Sequence, residues 1–472
     1  MQNYIPKNVK NVHMIAICGT GMGALACMLK DMGLQVTGSD QNVYPPMSTF
    51  LAEKEVLIQK GFSPEHLEKT PDLIIVGNTV SRNNPEVQFM LNNDLPFCSM
   101  PQAIQHFFGN RNILLITGTH GKTTTSSLLA WVLHTSKKAP SFFIGGIIQG
   151  FESNYQIGSG PFMVVEGDEY DTAFFDKGPK FLHYHPTHTI LTGIEFDHAD
   201  IYRDLSHVKS SFSKLIQGLS PQSLLIAYSN NENVQELIAQ SPCRCETYGG
   251  ENAYWQTRDI QILTPWTHFN VYRNNQFFYQ FKTRLMGAHN IANMLSVIAT
   301  ASDIGIDPNT IAQGIETFHG IKRRQEIRGI VNGVTIMDDF AHHPTAVLET
   351  LKAVKPFYPN GRVIAVFEPR TNSSRRRVFQ NIYPNAFHPA DIVCIRQAPL
   401  LEKIPENERF SSQELVNTLK NNGQDAHFFE TTDDIITFVS NTAQSGDLVI
   451  IMSNGGFDNI HERLLSGKLS HT

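Results

Sequence analysis

Cysteine is scarce, with six residues in a chain of 472, too few for a disulfide scaffold. Cys18, Cys27, Cys98, Cys243, Cys245 and Cys394 form no zinc-binding spacing, and Cys243-x-Cys245 is one residue short of CxxC. They read as reduced thiols. No apolar run reaches the roughly 18 residues that a membrane span needs. Lys7 and Lys10 ahead of MIAICGTGMGALACML imitate a secretory signal. Gly19, Gly21 and Gly23 make a poor helix there, and a strand-like VTGSD follows. A buried strand–loop–helix unit accounts for the segment better, so a cytoplasmic protein without a membrane partner is expected. Neither charge sign dominates: 38 basic against 44 acidic residues give −6. With a pI near 6.3, this speaks against a nucleic-acid partner held through phosphates. Fixed-period repeats and low-complexity tracts are missing too.

Apolar material is ample. Hydrophobic residues make up 41% and charged residues 17%, enough for several ordinary cores and too apolar for disorder. At about 150 residues per domain the length suggests three domains. Short β-branched runs followed by helical patterns recur in three clusters, which argues for α/β layers on mainly parallel sheets. The expected domains are 1–108, 109–322 and 323–472. Within the second, 221–285 reads as a more irregular, partly antiparallel insertion.

Several motifs carry chemistry. GTGMGA (19–24), with Asp40 beyond it, fits a Gly-rich turn that lets backbone approach a pyrophosphate at a helix N-terminus. It serves a dinucleotide, a nucleotide sugar or a tight turn equally well. ITGTHGKTTT (116–125) is the strongest signal: Gly118 and Gly121 free backbone N–H groups, Lys122 meets phosphate charge and Thr123 faces Mg²⁺. Ile116 stands where the usual phosphate loop has its first glycine. Glu166 and Asp168 end one strand, and Glu195, Asp197 and His198 end another; such strand ends border the ligand crevice of a parallel sheet. His289, Asn290 and Asn293 in GAHNIANM suit an adenine edge or a helix cap. Lys322, Arg323 and Arg324 form a solvated run or reach a γ-phosphate from a hinge. DDFAHHP (338–344) is a metal site or a loop leading into a helix at Pro344. Arg370 and the SNGG run at 453–456 mark further strand ends.

Taken together, these segments resemble the Mur ligase family of ATP-dependent, amide-forming enzymes of peptidoglycan assembly. GTHGKTTT, EGDEYD, EFDHAD, GAHNIAN, KRRQE and DDFAHHP follow in that family's order between residues 13 and 457. The resemblance implies a Rossmann-like N-terminal domain, a central phosphate-loop ATPase domain and a Rossmann-like C-terminal domain, with ATP and Mg²⁺ as cofactors. It implies UDP-N-acetylmuramate on Gly19, Thr20, Gly21, Met22, Gly23, Ser39, Asp40 and Asn78. ATP is implied on Gly118, Thr119, His120, Gly121, Lys122, Thr123, Thr124, Asn290, Asn293, Arg324 and Asp339, and Mg²⁺ on Thr123, Glu166 and His198. Lys122, His198, Arg324, His342, His343 and Arg370 are the implied catalytic set. NVYPPMST, DEYDTAFFDK, EFDHADI, DDFAHHPTA and SNGGF point within the family to the recycled tripeptide L-alanyl-γ-D-glutamyl-meso-diaminopimelate as acceptor, with L-alanine as the alternative. Ser213 stands where several members carry a carbamylated lysine, with Lys214 beside it, so carbamylation is not expected. A monomer or weak homo-oligomer is anticipated. A nicotinamide oxidoreductase would leave GKTTT unexplained, and a regulatory ATPase would give no amide product.

Overall fold

A computed structural model describes residues 3–43, 45, 47–197 and 201–467. The runs rich in Ile, Val and Leu become buried central strands. LIIV at Leu73–Val76, for example, is buried at all four positions, as a strand covered on both faces must be. It belongs to a five-stranded parallel sheet in the order Leu57–Lys60, Gln35–Asp40, Asn11–Ile15, Leu73–Val76, Phe97–Ser99. The strand order reverses on either side of Asn11–Ile15, which opens a crevice beyond the carboxyl ends there.

The second sheet has ten strands, ordered Gln276–Thr283, Trp266–Arg273, Trp255–Leu263, Arg244–Tyr248, Leu224–Tyr228, His188–Leu191, Asn112–Thr117, Phe162–Gly167, Ser141–Ile148, Ser153–Gln156. From Arg244–Tyr248 to Ser141–Ile148 every pairing is parallel. The segment expected to be irregular divides in two. Leu224–Tyr228 and Arg244–Tyr248 extend the parallel sheet, because LLIAY buries its first four residues, and only 255–283 form an antiparallel meander. The third sheet runs Glu326–Val331, Val334–Asp339, Leu448–Met452, Val363–Phe367, Ile392–Arg396, Asp425–Phe429 and is parallel apart from its first strand.

The fold class is therefore the expected one: three α/β units. One core runs without interruption from Met14, Leu25 and Met100 of the first unit to Phe143, Met163 and Val165 of the second. Helices Lys122–Thr135 and Ala288–Asp303 cover the other face of the large sheet. The Gly-rich segment differs in detail from its sequence reading. The helix already begins at Thr20, with Gly19 as its N-cap, so Gly21 and Gly23 lie inside it. Their role is close packing: a Cβ on Gly23 would sit 3.0 Å from Met47 Sδ, and one on Gly21 would sit 3.0 Å from Met100 Sδ.

Candidate active site

The strand Asn112–Thr117 is buried from Ile113 onward and delivers its carboxyl end to Gly118, where the chain turns into the helix Lys122–Thr135. The turn needs glycine at two positions. Gly118 has φ +127° and Gly121 φ +80°, and a Cβ would fall 2.3 Å from Thr192 Oγ1 at the first and 2.7 Å from Asn293 Oδ1 at the second. The N–H groups of a four-turn helix then point into the loop, as anion binding requires. Thr119 is fixed by the Glu195 N–H, which donates to its Oγ1 at 2.9 Å. Lys122 folds back over the loop, donating to the Gly118 carbonyl at 2.6 Å and to Glu169 Oε2 at 2.7 Å. Burial opposes its charge, but Glu169 and Asp168 outweigh it and hold the amine well above its ordinary pKa. Lys122 is an ammonium at neutral pH. Thr124 follows in the first turn of the same helix.

Glu166 ends the neighbouring strand. Its Oε2 lies 3.3 Å from Thr123 Oγ1, and Oε1 accepts from Ser126 Oγ at 3.1 Å and Gly145 N at 2.9 Å. Burial first, and Asp168 second, raise its pKa, so a cation beside it would be favourable. Hydroxyl and carboxylate oxygens are the donors Mg²⁺ prefers, and on that ground Thr123 and Glu166 fit the ion. Asp168 is held at about 2 despite burial, chiefly by Lys180 at 2.8 Å. His198 lies outside the described residues. Glu195, just past the strand His188–Leu191, meets His120 Nε2 at 3.3 Å and accepts from Thr345 Oγ1 at 2.8 Å. Its carboxyl is lowered to about 2 against burial, mainly by His120.

The C-terminal sheet turns its own strand ends toward this site. Arg323 and Gln325 both adopt left-handed backbone (φ +64° and +48°) at the crossing into it. Between them Arg324 stacks 4.8 Å over the Phe340 ring, and the charges of Asp339 and Glu166 both act on it. Asp339 accepts from the Gln325 and Ala341 N–H groups, each at 2.8 Å, and from Thr350 Oγ1 at 3.4 Å. Asn290 donates to the Met286 carbonyl at 2.8 Å, and Asn293 to Asn290 Oδ1 at 3.4 Å. Both amides are buried beside the phosphate loop. His343 caps the helix Pro344–Val354 and reaches the Phe196 carbonyl at 3.3 Å. His342 turns its Nδ1 to the Phe340 carbonyl at 3.0 Å. Burial pushes both imidazoles down to about 4, so they are neutral near pH 7. Arg370 lies apart from this cluster, 3.5 Å from the fully buried Glu368 and across Gly455, where a Cβ would meet its Cδ at 2.3 Å.

The N-terminal residues divide. Gly19 and Thr20 are exposed, nothing lies within 4 Å of where a Gly19 Cβ would be, and Asn78 is exposed past the adjacent strand. These border the open crevice. Asp40 braces the loop, accepting from the Cys18 and Asn42 N–H groups at 2.9 Å each. Ser39 and Met22, expected against a ligand, instead face inward. Strand alternation turns Ser39 onto the buried Glu86, and Met22 joins the core. Sequence reasoning missed Glu169, Thr345, Gln325 and Glu368. Glu169 was visible as a third acid in EGDEYD. Gln325 and Thr345, beside KRR and HHP, carried no signal of their own.

Three family models match the chain in succession. The Mur ligase family catalytic domain matches residues 11–111, the Mur ligase middle domain 116–301, and the Mur ligase glutamate ligase domain 323–455. The chain belongs to the Mur ligase family, and is thus an ATP-dependent ligase that forms C–N bonds. It is 38% identical to the UDP-N-acetylmuramate–L-alanyl-γ-D-glutamyl-meso-2,6-diaminoheptandioate ligase of Escherichia coli, over 97% of this chain and 98% of that one. The UDP-N-acetylmuramate–L-alanine ligase of Clostridium tetani is 30% identical, over 95% and 96%. The crystal structure of a murein peptide ligase from Psychrobacter arcticus superposes with a TM-score of 0.70 at 32% identity, covering 98% and 99%. Among the described residues no helix is long and apolar enough to cross a membrane.

Proposed function

We propose that this ligase joins UDP-N-acetylmuramate to the recycled tripeptide L-alanyl-γ-D-glutamyl-meso-diaminopimelate, within peptidoglycan recycling. The observation that carries the reading is the 38% identity, across nearly the whole chain, to a ligase named for that acceptor, against 29–31% to L-alanine ligases. The enzyme works in the cytoplasm as a monomer or weak homo-oligomer, in three domains near 1–108, 109–322 and 323–472.

A carboxylate is a poor electrophile, so amide formation needs an activated acyl group. The γ-phosphoryl of ATP passes to the lactyl carboxylate; the resulting acyl phosphate is attacked by the tripeptide's α-amine, and phosphate leaves. The chain's residues make the approach of two anions possible. Gly118 to Gly121 and the helix N-terminus wrap phosphate oxygens, while Lys122 and Arg324 neutralise charge that builds on the transferring group. Removing one such group costs about 3–4 kcal/mol of barrier. Thr123 and Glu166, with His198, would hold Mg²⁺, which when bound would supply further charge neutralisation at the phosphates. Asn290, Asn293 and Asp339 border the nucleoside, and Gly19 and Asn78 the UDP crevice. His342 and His343, both neutral, and Arg370, set apart from them, would lie near the acyl phosphate or the incoming peptide.

Phosphate release is the test, with ATP, Mg²⁺ and UDP-N-acetylmuramate plus either L-alanine or the tripeptide. Release with the tripeptide alone, and a product of matching mass, is expected. Release with L-alanine alone would overturn the acceptor.

A further inference from the structure

Where the phosphate loop meets the C-terminal domain, three metal-ligating side chains converge that the Mg²⁺ pair Thr123–Glu166 does not use. His120 comes from the loop, Glu195 from the neighbouring strand end and His343 from the C-terminal domain. His120 Nε2 lies 3.3 Å and His343 Nδ1 4.0 Å from Glu195 Oε2, with the two rings 4.7 Å apart. All three ligand atoms fall within 4.8 Å of one another. Ligands at about 2.0–2.2 Å from a tetrahedral zinc ion stand roughly 3.3–3.6 Å apart. His120 and Glu195 already have that separation, and His343, 4.0 Å from Glu195 and within 4.8 Å of His120, has to move in by up to about 1.3 Å to complete it.

The surroundings are those of a supported site. His343 Nε2 is 3.3 Å from the Phe196 carbonyl, which places the ring proton on that nitrogen and leaves the Nδ1 lone pair facing the cluster. That lone pair now accepts a long bond from the Thr345 N–H at 3.3 Å. Thr345 Oγ1 donates to Glu195 Oε2 at 2.8 Å. Carbonyl and hydroxyl partners of this kind orient ligands and raise affinity. Two imidazoles and one carboxylate suit Zn²⁺ or Co²⁺, whereas Mg²⁺ takes oxygen donors in an octahedron.

We infer that His120, Glu195 and His343 form a site for one zinc-class ion that bridges the phosphate loop and the C-terminal domain. Three protein ligands leave a fourth position for water or a phosphate oxygen. The bound ion pins the C-terminal domain to the loop, so it slows any cycle in which that domain must release product. The site does not depend on which acceptor the enzyme uses.

The test is visible absorption of the full-length protein titrated with Co²⁺ in the presence of excess Mg²⁺. Wild type is expected to bind one ion, with the intense bands of low-coordinate cobalt, and to lose them when Zn²⁺ is added. His120→Ala and His343→Asn should lack the bands; Asn keeps a capping acceptor at the helix N-terminus, and circular dichroism confirms the fold. Thr345→Val should weaken Co²⁺ about 10–100-fold. Zn²⁺ should raise the melting temperature of wild type and not of His343→Asn. Bands absent from wild type, abolished by excess Mg²⁺ or retained in His343→Asn would overturn the site.

Discussion

Lys122→Met removes a charge whose partner is out of water. The Lys122 side chain is 12% exposed and the Glu169 carboxylate 2.7 Å away is 3% exposed. Taking one member from a buried pair costs about 3–5 kcal/mol of folding free energy, because the other charge stays behind. The reaction should lose as well: without the ammonium the barrier rises by about 3–4 kcal/mol, a factor of roughly 10²–10³ in kcat. Lys122→Met/Glu169→Gln separates the two effects. With both charges gone, most of the lost stability should return, while turnover should stay at the level of the single variant. Urea unfolding followed by circular dichroism, and phosphate release from the same preparations, give both numbers. A single variant as stable as wild type would refute the buried pair. Turnover restored in the double variant would refute the role of Lys122 on phosphate.

Gly121→Ala sets a side chain at φ +80° with its Cβ 2.7 Å from Asn293 Oδ1; a strain of about 1–3 kcal/mol should appear as a lower melting temperature, together with loss of ATP binding by calorimetry. Gly455→Ala drives a methyl into Arg370 Cδ at 2.3 Å, so the KM for the peptide acceptor should rise while that for ATP holds; an unchanged acceptor KM would remove Arg370 from the acceptor side. Glu86 is fully buried and, despite burial, His13, Ser39 and His66 hold its carboxyl below the ordinary range. A depressed folded-state pKa stabilises above the unfolded value near 4.3 and is lost as pH falls through the folded one. Glu86→Gln should therefore flatten the drop in melting temperature as pH falls below about 5, and an identical acid limb would contradict the network.

Local signals carried most of the fold. Strand, glycine turn and helix are written in ILLITGTHGKTTT, because a fully buried strand and a phosphate loop each need particular residue types. Pro344 at the first helical position was equally legible. The Gly-rich segment at 19–23 was not, since nothing local says that its glycines make room for Met47 and Met100 on other helices. Long-range partners were hidden for the same reason. The Lys122–Glu169 pair spans 47 positions and Thr345–Glu195 spans 150, and only the folded sheets bring these side chains together. Ser39 shows the limit of motif reading: it stands next to Asp40, yet strand alternation points its hydroxyl at Glu86.

The account rests on phosphorylation of a carboxylate, and oxygen transfer tests that directly. UDP-N-acetylmuramate labelled with ¹⁸O in its lactyl carboxylate is turned over with ATP, Mg²⁺ and the tripeptide, and the released phosphate is analysed by mass spectrometry. An acyl phosphate requires one labelled oxygen to leave with each phosphate, in step with amide product. Unlabelled phosphate would contradict the mechanism, whatever the amide yield.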